Sequence, residues 1–273
     1  MTGASSLLVD DLVARGLERR EACWLVEEFG PARDGELVLE RAATRRLGGE
    51  PLQYVFGHWP FRTLDLDLDP RVLIPRPETE ELVGVALAEL ARGVALTPLI
   101  MDLGCGSGAI GLSLLDELRT RGVQASLIAV DESDGALEVA RRNARKHDLR
   151  AVSFVRSSWF DEVDPTLRGR VDLVVANPPY VSEAEFATLE PELAHEPRGA
   201  LVAPDAGDHA GFADLAIIIA ESPSWLTKEG PLVCEHADTQ RTAVVGAASA
   251  AGFQTIEDLD DLTGRPRIMV ARR

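Results

Sequence analysis

Two stretches and one isolated acid in this 273-residue chain combine residue types whose spacing could do chemistry. The first stretch is Asp102-Leu103-Gly104-Cys105-Gly106-Ser107-Gly108, three glycines in alternate positions behind an apolar run. Glycine removes the Cβ that would keep a ligand off the backbone, and the opening turn of a helix offers free N–H groups. Such a loop suits a nucleotide-like ligand. The same residues contain Gly106-x-Gly108-x-x-Gly111, which formally admits a dinucleotide, although that spacing alone is a weak signal. Asp131 closes the next apolar run. It stands the right distance downstream to accept hydrogen bonds from ribose hydroxyls, which NAD and S-adenosylmethionine both present. Asp102 favours the second ligand, because a carboxylate there repels a pyrophosphate but suits the ammonium group of the methyl donor's amino-acid end.

The second stretch is Asn177-Pro178-Pro179-Tyr180, again behind an apolar run. Two prolines remove two N–H donors and fix two φ angles, so the segment presents carbonyl acceptors in a rigid frame. A substrate rich in N–H donors fits it. The nitrogen of an amide or an exocyclic amine is a poor nucleophile because its lone pair is delocalised. If the Asn177 side-chain oxygen and the Pro178 carbonyl each accept one N–H, they hold that nitrogen with its lone pair aimed at a methyl group. No general base is then needed before attack. Tyr180 supplies a flat wall for a planar substrate group. The plainer reading of the tetrapeptide is a rigid turn.

These groups need elements to hold them. Apolar runs of β type at PLIMDL, SLIAVD, AVSFVR, VDLVVA, PLVCEH, FQTIED and RIMVAR give seven strands from residue 78 onward. Helical stretches separate most of them, at 109–121, 133–147 and from Ser182, where Ser182-Glu183-Ala184-Glu185 is a capping-box pattern. The fold class is therefore α/β, a doubly wound, mostly parallel Rossmann-like sheet covered on both faces. Only Leu262-Thr263-Gly264-Arg265 joins the last two strands, too short for a parallel crossover, so they pair antiparallel. Residues 1–50 carry a helical period, Ala22, Leu25, Val26 and Phe29 on one stripe and Val38, Leu39, Ala42 and Ala43 on another, which predicts a small helical bundle. Between 51 and 77 the alternation Leu64-Asp65-Leu66-Asp67-Leu68, broken up by prolines, predicts a β-hairpin linker.

Composition removes several classes of function. Twenty-eight Lys and Arg against 45 Asp and Glu leave a net charge of −17, which disfavours general binding to phosphate backbones. The longest later apolar stretch, LAIIIA, is far below a membrane span, and MTGASSLLVDD has no basic leader. No export or membrane segment is expected. Cys23, Cys105 and Cys234 have neither zinc-ligand spacing nor an even count, which fits a reducing cytoplasm and no metal. His195 and His236 lack ligand companions and read as structural or solvated.

The chain resembles the HemK-like (PrmC) protein-glutamine methyltransferases that modify peptide chain release factors. Beyond the two stretches, the resemblance rests on Gly49-Glu50-Pro51-Leu52-Gln53-Tyr54 and Val72-Leu73-Ile74-Pro75-Arg76-Pro77-Glu78-Thr79-Glu80. Ser158-Trp159-Phe160, Glu196-Pro197, Ala200-Leu201, Glu235-His236 and Gln240 add to it. It implies a methyltransferase domain over 78–273 and a substrate-recognition role for the bundle at 1–50. It also implies that Gly104, Cys105, Gly106, Ser107, Gly108, Asp131 and Asn177 hold S-adenosylmethionine, with S-adenosylhomocysteine as product. Trp159 then packs at the adenine side, where ordinary core packing is the alternative. Asn177, Pro178, Pro179 and Tyr180 receive the glutamine, with Asn177, Pro178 and Tyr180 catalytic. For Arg76, Glu78 and Thr79, a helix-entry turn and ligand contact remain open. One departure is the stretch 202–211, longer and more acidic than the family's Gly-rich turn.

The expected activity is methylation of the glutamine in the Gly-Gly-Gln loop of release factors, by a cytoplasmic monomer with no direct sequence-specific nucleic-acid contact. Alternatives are a ribosomal-protein glutamine or, against the −17 charge, an adenine amino group on nucleic acid. A catalytically silent nucleotide-binding module is a further alternative, opposed by the intact Asn-Pro-Pro-Tyr.

Overall fold

Apolar residues spaced at i, i+3 and i+4 drive the start of the chain into helices that bury one stripe each. The computed structural model describes residues 3–30, 35–93, 95–189 and 191–273. It begins with α1 (Gly3–Ala14), α2 (Arg19–Phe29) and α3 (Gly35–Leu47). Ala22, Leu25 and Val26 of α2 meet Leu39, Ala42 and Ala43 of α3 in a core of their own, while Phe29 and Val38 stay half-buried at its edge. Helix α1 escaped the periodicity search because Leu7, Leu8, Val9, Leu12 and Val13 surround its axis. Only Val9 and Leu12 of these are buried, and Leu7 is 73% exposed.

The linker differs from expectation in its first residues. Leu52–Phe56 form a short helix, α4, whose Leu52 and Val55 join the N-terminal core, so that core reaches past residue 50. Gly57, at φ 79°, ends the helix in the left-handed conformation that a glycine adopts without strain. The hairpin itself is β1 (His58–Phe61) against β2 (Leu64–Asp67), antiparallel. The alternation works as expected, burying Leu64 and Leu66 and turning Asp65 and Asp67 outward.

Helix α5 (Pro77–Arg92) leads into the main sheet. There follow β3 (Leu99–Leu103), α6 (Ala109–Thr120), β4 (Ser126–Asp131), α7 (Asp134–Lys146), β5 (Val152–Arg156) and β6 (Leu173–Ala176). The chain ends with α8 (Glu183–Phe186), α9 (Ala213–Trp225), β7 (Leu232–Glu235), α10 (Arg241–Ala250), β8 (Thr255–Asp260) and β9 (Pro266–Arg272). All seven expected strands form, in the order β5-β4-β3-β6-β7-β9-β8. Strand β9 runs antiparallel between β7 and β8, as the short final turn requires. The Ser182–Glu185 capping box also forms, opening α8.

Alternate residues of β3 feed different faces: Ile100 joins α5, α6, α7 and the hairpin, whereas Met101 and Leu103 join α9 and α10. Basic residues of α7 tie the hairpin down, Lys146 to Asp65 and Asp67 at 2.8 and 2.7 Å and Arg142 to Asp67 at 2.9 Å. The strand order turns back between β3 and β6, both parallel neighbours whose connections leave in opposite directions. A crevice therefore opens at their carboxyl ends, where such folds bind ligands.

Gly111 shows how tightly α6 meets the sheet. A Cβ there would stand 2.7 Å from Leu127 Cδ2 and 2.8 Å from Asp102 Oδ2. We expect Gly111→Ala to cost about 1–3 kcal/mol by overpacking, read as a lower denaturation midpoint. An unchanged midpoint would mean that α6 shifts freely on the sheet.

Candidate active site

At the crevice lies a cavity of about 360 Å³ whose wall includes Gly104, Gly106, Asp131, Trp159, Asn177 and Pro179. Its size falls within the range of small-molecule sites. The loop after β3 bends sharply because Gly104, Gly106 and Gly108 all take positive φ, 70°, 55° and 83°. Cys105, Ser107 and Gly108 are not on the cavity wall. They make the turn behind it: the Gly108 N–H donates to the Cys105 carbonyl at 2.7 Å, and the Ser107 carbonyl accepts from Asn143 Nδ2 at 2.9 Å.

Asp102 sits elsewhere than its charge suggested. It is fully buried beneath the loop, where Oδ2 accepts the Gly111 N–H at 2.9 Å, and burial pushes its pKa up to about 7. It ties the end of β3 to the first turn of α6 and does not line the cavity.

Asp131 is on the wall, held from behind. Its Oδ1 accepts the Ser133 N–H and its Oδ2 the Gly106 N–H, each at 2.9 Å. A carboxylate offers about four lone-pair sites, so capacity remains for hydroxyl donors. Burial raises its pKa and the two amide bonds oppose that shift.

Trp159 occupies the left-handed region at φ 46°, a costly conformation for a bulky residue that clusters at functional sites. Its indole N–H donates to Asp214 Oδ1 at 3.0 Å, and its ring lies so close over Gly104 that a Cβ there would be 3.4 Å away. The ring is thus fixed as a flat wall of the cavity.

The Asn-Pro-Pro-Tyr segment follows β6 as expected. Asn177 and Pro179 line the cavity, while Pro178 is buried and Tyr180 stands off the wall. The Tyr180 hydroxyl donates to Glu235 Oε1 at 3.1 Å, and burial beside that carboxylate raises its pKa. Asn177 Nδ2 donates to Thr79 Oγ1 at 3.1 Å, and Thr79 Oγ1 to Glu235 Oε2 at 2.8 Å.

The segment between β6 and α9 folds back over the cavity. Pro197, Gly199, Ala200, Val202 and Pro204 contribute to the wall. Buried Glu196 pins this arm to the linker, accepting the Ile74 N–H at 2.9 Å and Arg76 at 2.5 Å. Gln240 pins its far end, donating to the Ala210 and Gly211 carbonyls at 2.9 and 3.2 Å. The acidic stretch 202–211 thus packs onto the segment, and a Cβ at Gly211 would meet the Tyr180 carbonyl at 2.4 Å. His195 is exposed, and His236 is fully buried with Nδ1 2.8 Å from the Ala237 carbonyl, both outside the cavity wall.

The family model described as "Methyltransferase small domain" matches residues 87–202. A release factor glutamine methyltransferase of Burkholderia pseudomallei is 41% identical over 228 residues, spanning 82% of this chain and 76% of its own. The chain belongs to the release factor glutamine methyltransferases. Another member, from Mycobacterium tuberculosis, is 37% identical over 250 residues, 90% of this chain and 76% of its own. Among solved structures, the hMettl16 catalytic domain in complex with a MAT2A 3'UTR hairpin superposes with a TM-score of 0.56 at 14% identity. It covers 90% of this chain and 81% of that one, a likeness of fold.

In this release factor glutamine methyltransferase, two site residues had no functional reading in the sequence. Asp214 had no signal beyond an acid in the first turn of α9. Glu235 stood only in a family-like string, and no spacing rule joins it or Thr79, which was open to a helix-entry turn or ligand contact, to Asn177. Arg76 is the N-cap of α5 and pairs with Glu196.

Proposed function

We propose that this enzyme methylates the side-chain amide nitrogen of the glutamine in the Gly-Gly-Gln motif of peptide chain release factors, using S-adenosylmethionine. The observation that carries the reading is the position of Asn177, an amide on the same cavity wall as Gly104, Gly106 and Asp131. S-adenosylmethionine fits the residues present. Gly104 and Gly106 leave backbone bare where a Cβ would intrude, Asp131 keeps acceptor capacity for ribose hydroxyls, and the Trp159 ring is fixed beside them for adenine. When bound, it supplies an electrophilic methyl group on a sulfonium sulfur and leaves as S-adenosylhomocysteine.

The protein's part is to orient the acceptor. Asn177 Oδ1 and the Pro178 carbonyl accept the two amide N–H groups and hold the nitrogen's lone pair towards the methyl group. With the donor bound, the nitrogen would take up the methyl group, the sulfur would keep the electron pair of the S–CH₃ bond, and the nitrogen would lose one proton to solvent water. Because that proton leaves after attack, no strong base is required at the start. Pro179 and the arm carrying Pro197 and Val202 line the same volume with apolar surface.

A nucleic-acid substrate is disfavoured by the −17 charge. The basic run 141–150 does not reverse this, since Arg142 and Lys146 are neutralised by the hairpin aspartates and Arg141 lies over Phe154. On this reading the enzyme is cytoplasmic and monomeric, and no described helix is long and apolar enough to cross a membrane. The test is methyl transfer from labelled donor to purified release factors, ribosomal proteins and DNA side by side. Label confined to the release-factor glutamine supports the reading, and label on DNA or ribosomal protein alone overturns it.

Charge also predicts kinetics. A release factor works against ribosomal RNA and so benefits from a basic surface, which an enzyme of charge −17 attracts over a Debye length of roughly 8–10 Å. Stopped-flow association is expected to slow as salt rises. A salt-independent rate constant would remove electrostatic steering and leave the chemistry untouched.

A further inference from the structure

We infer that Thr79 and Glu235 are positioning residues that lock the Asn177 amide with its oxygen towards the methyl acceptor. This rests on the function proposed above and adds to it how the acceptor oxygen is kept in place.

Three elements remote in sequence converge here: the first turn of α5, the end of β6 and the end of β7. Thr79 is 3% exposed and Glu235 1%. A carboxylate so deeply buried needs donors, and it has two, Thr79 Oγ1 on Oε2 and the Tyr180 hydroxyl on Oε1. It also lies at the N-terminus of α5, where the helix dipole favours an anion. Burial raises its pKa and Glu78 adds to the shift, while the two hydroxyls and Arg267 oppose it.

Both Glu235 oxygens accept hydrogen bonds here, and a threonine hydroxyl has a single proton to give. Thr79 gives that proton to Glu235. Its remaining capacity towards Asn177 is therefore that of an acceptor, so Asn177 must turn its NH₂ group to Thr79. The opposite amide rotamer would leave a buried Glu235 oxygen without its donor and set two acceptors against each other, which is costly in a buried site. Among the described residues no donor reaches Asn177 Oδ1, which is thus kept free as an acceptor.

The chain of polarity also sets specificity. A site with its acceptor fixed welcomes a primary amide and refuses a carboxylate in the same place, because acceptor would face acceptor. Glutamine is admitted and glutamate rejected through a residue pair that touches neither.

Thr79→Val keeps the shape and deletes the hydroxyl. Its turnover should fall about tenfold, the scale of one net hydrogen bond, with donor affinity unchanged, and Thr79→Ser should restore parental turnover. Because Thr79 works through Asn177, the double variant Asn177→Ala/Thr79→Val should be no slower than Asn177→Ala alone, a non-additivity expected of coupled residues. Parental turnover in Thr79→Val, or a full multiplication of losses in the double variant, overturns the lock. Should Thr79→Val fail to fold, Thr79→Ala carries the same test, since it deletes the same hydroxyl. A readout independent of activity separates this from the proposed function. In ¹⁵N spectra the Asn177 side-chain N–H should exchange with solvent about tenfold more slowly in the parent than in Thr79→Val. A protected amide in a parent that labels no glutamine would sink the substrate and keep the lock; equal exchange in an active parent would do the reverse.

Discussion

Asn177→Ala lowers turnover by roughly 10²–10³, the loss expected when one preorganised polar contact to a transition state is removed, while donor affinity changes little. The side chain is the one amide on the cavity wall described above, anchored from behind by Thr79, so its removal leaves an acceptor N–H unheld without disturbing the glycine loop. Asn177→Asp is the sharper probe. It keeps an acceptor of the same shape but adds a charge, and it loses the N–H that Thr79 accepts. Partial activity is therefore expected, above the Ala variant and below the parent. Single-turnover rates at saturating donor and release factor make the measurement. Near-parental turnover in Asn177→Ala would mean that the segment is only a rigid turn and that the methyl acceptor is held elsewhere.

Asp131→Ala weakens S-adenosylmethionine binding by about 1.5–3 kcal/mol, the scale of hydrogen bonds to a charged group, or roughly ten- to 150-fold in Kd. The carboxylate has two duties. Its free lone pairs face the cavity, and its engaged ones accept the N–H groups of Gly106 and Ser133, fixing the glycine loop against the start of α7. Asp131→Asn separates them, because its NH₂ group cannot accept from a backbone amide while its oxygen still can. Its affinity should lie between parent and Ala variant. Titration calorimetry with S-adenosylmethionine gives both values, and an unchanged Kd in Asp131→Ala would remove the residue from the donor site.

Much of the scaffold was legible because its determinants are local. Strands buried on both faces read as unbroken runs such as Leu173-Val174-Val175-Ala176, and Ser133 marks the start of α7 by accepting the Ala136 N–H. The antiparallel final pair followed from a linker too short to cross over. Where local signals are weak the elements went unread: α1 is apolar around its axis, and α4 is a five-residue helix within a proline-rich linker.

By itself the sequence determined that a glycine loop, Asp131 and the Asn-Pro-Pro-Tyr segment each end a strand of one doubly wound sheet, hence that they share an edge. Short motifs and strand runs are short-range facts, and side-chain type and spacing carry them. The tertiary structure alone decided that Asp102 turns under the loop instead of into the cavity, and that Asp214 braces Trp159. It alone decided that Thr79, 98 residues before Asn177, and Glu235, 156 residues after Thr79, meet behind its amide. Hydrogen-bond polarity in a buried site depends on which groups the fold brings within 3 Å or so, and no spacing along the chain encodes that convergence.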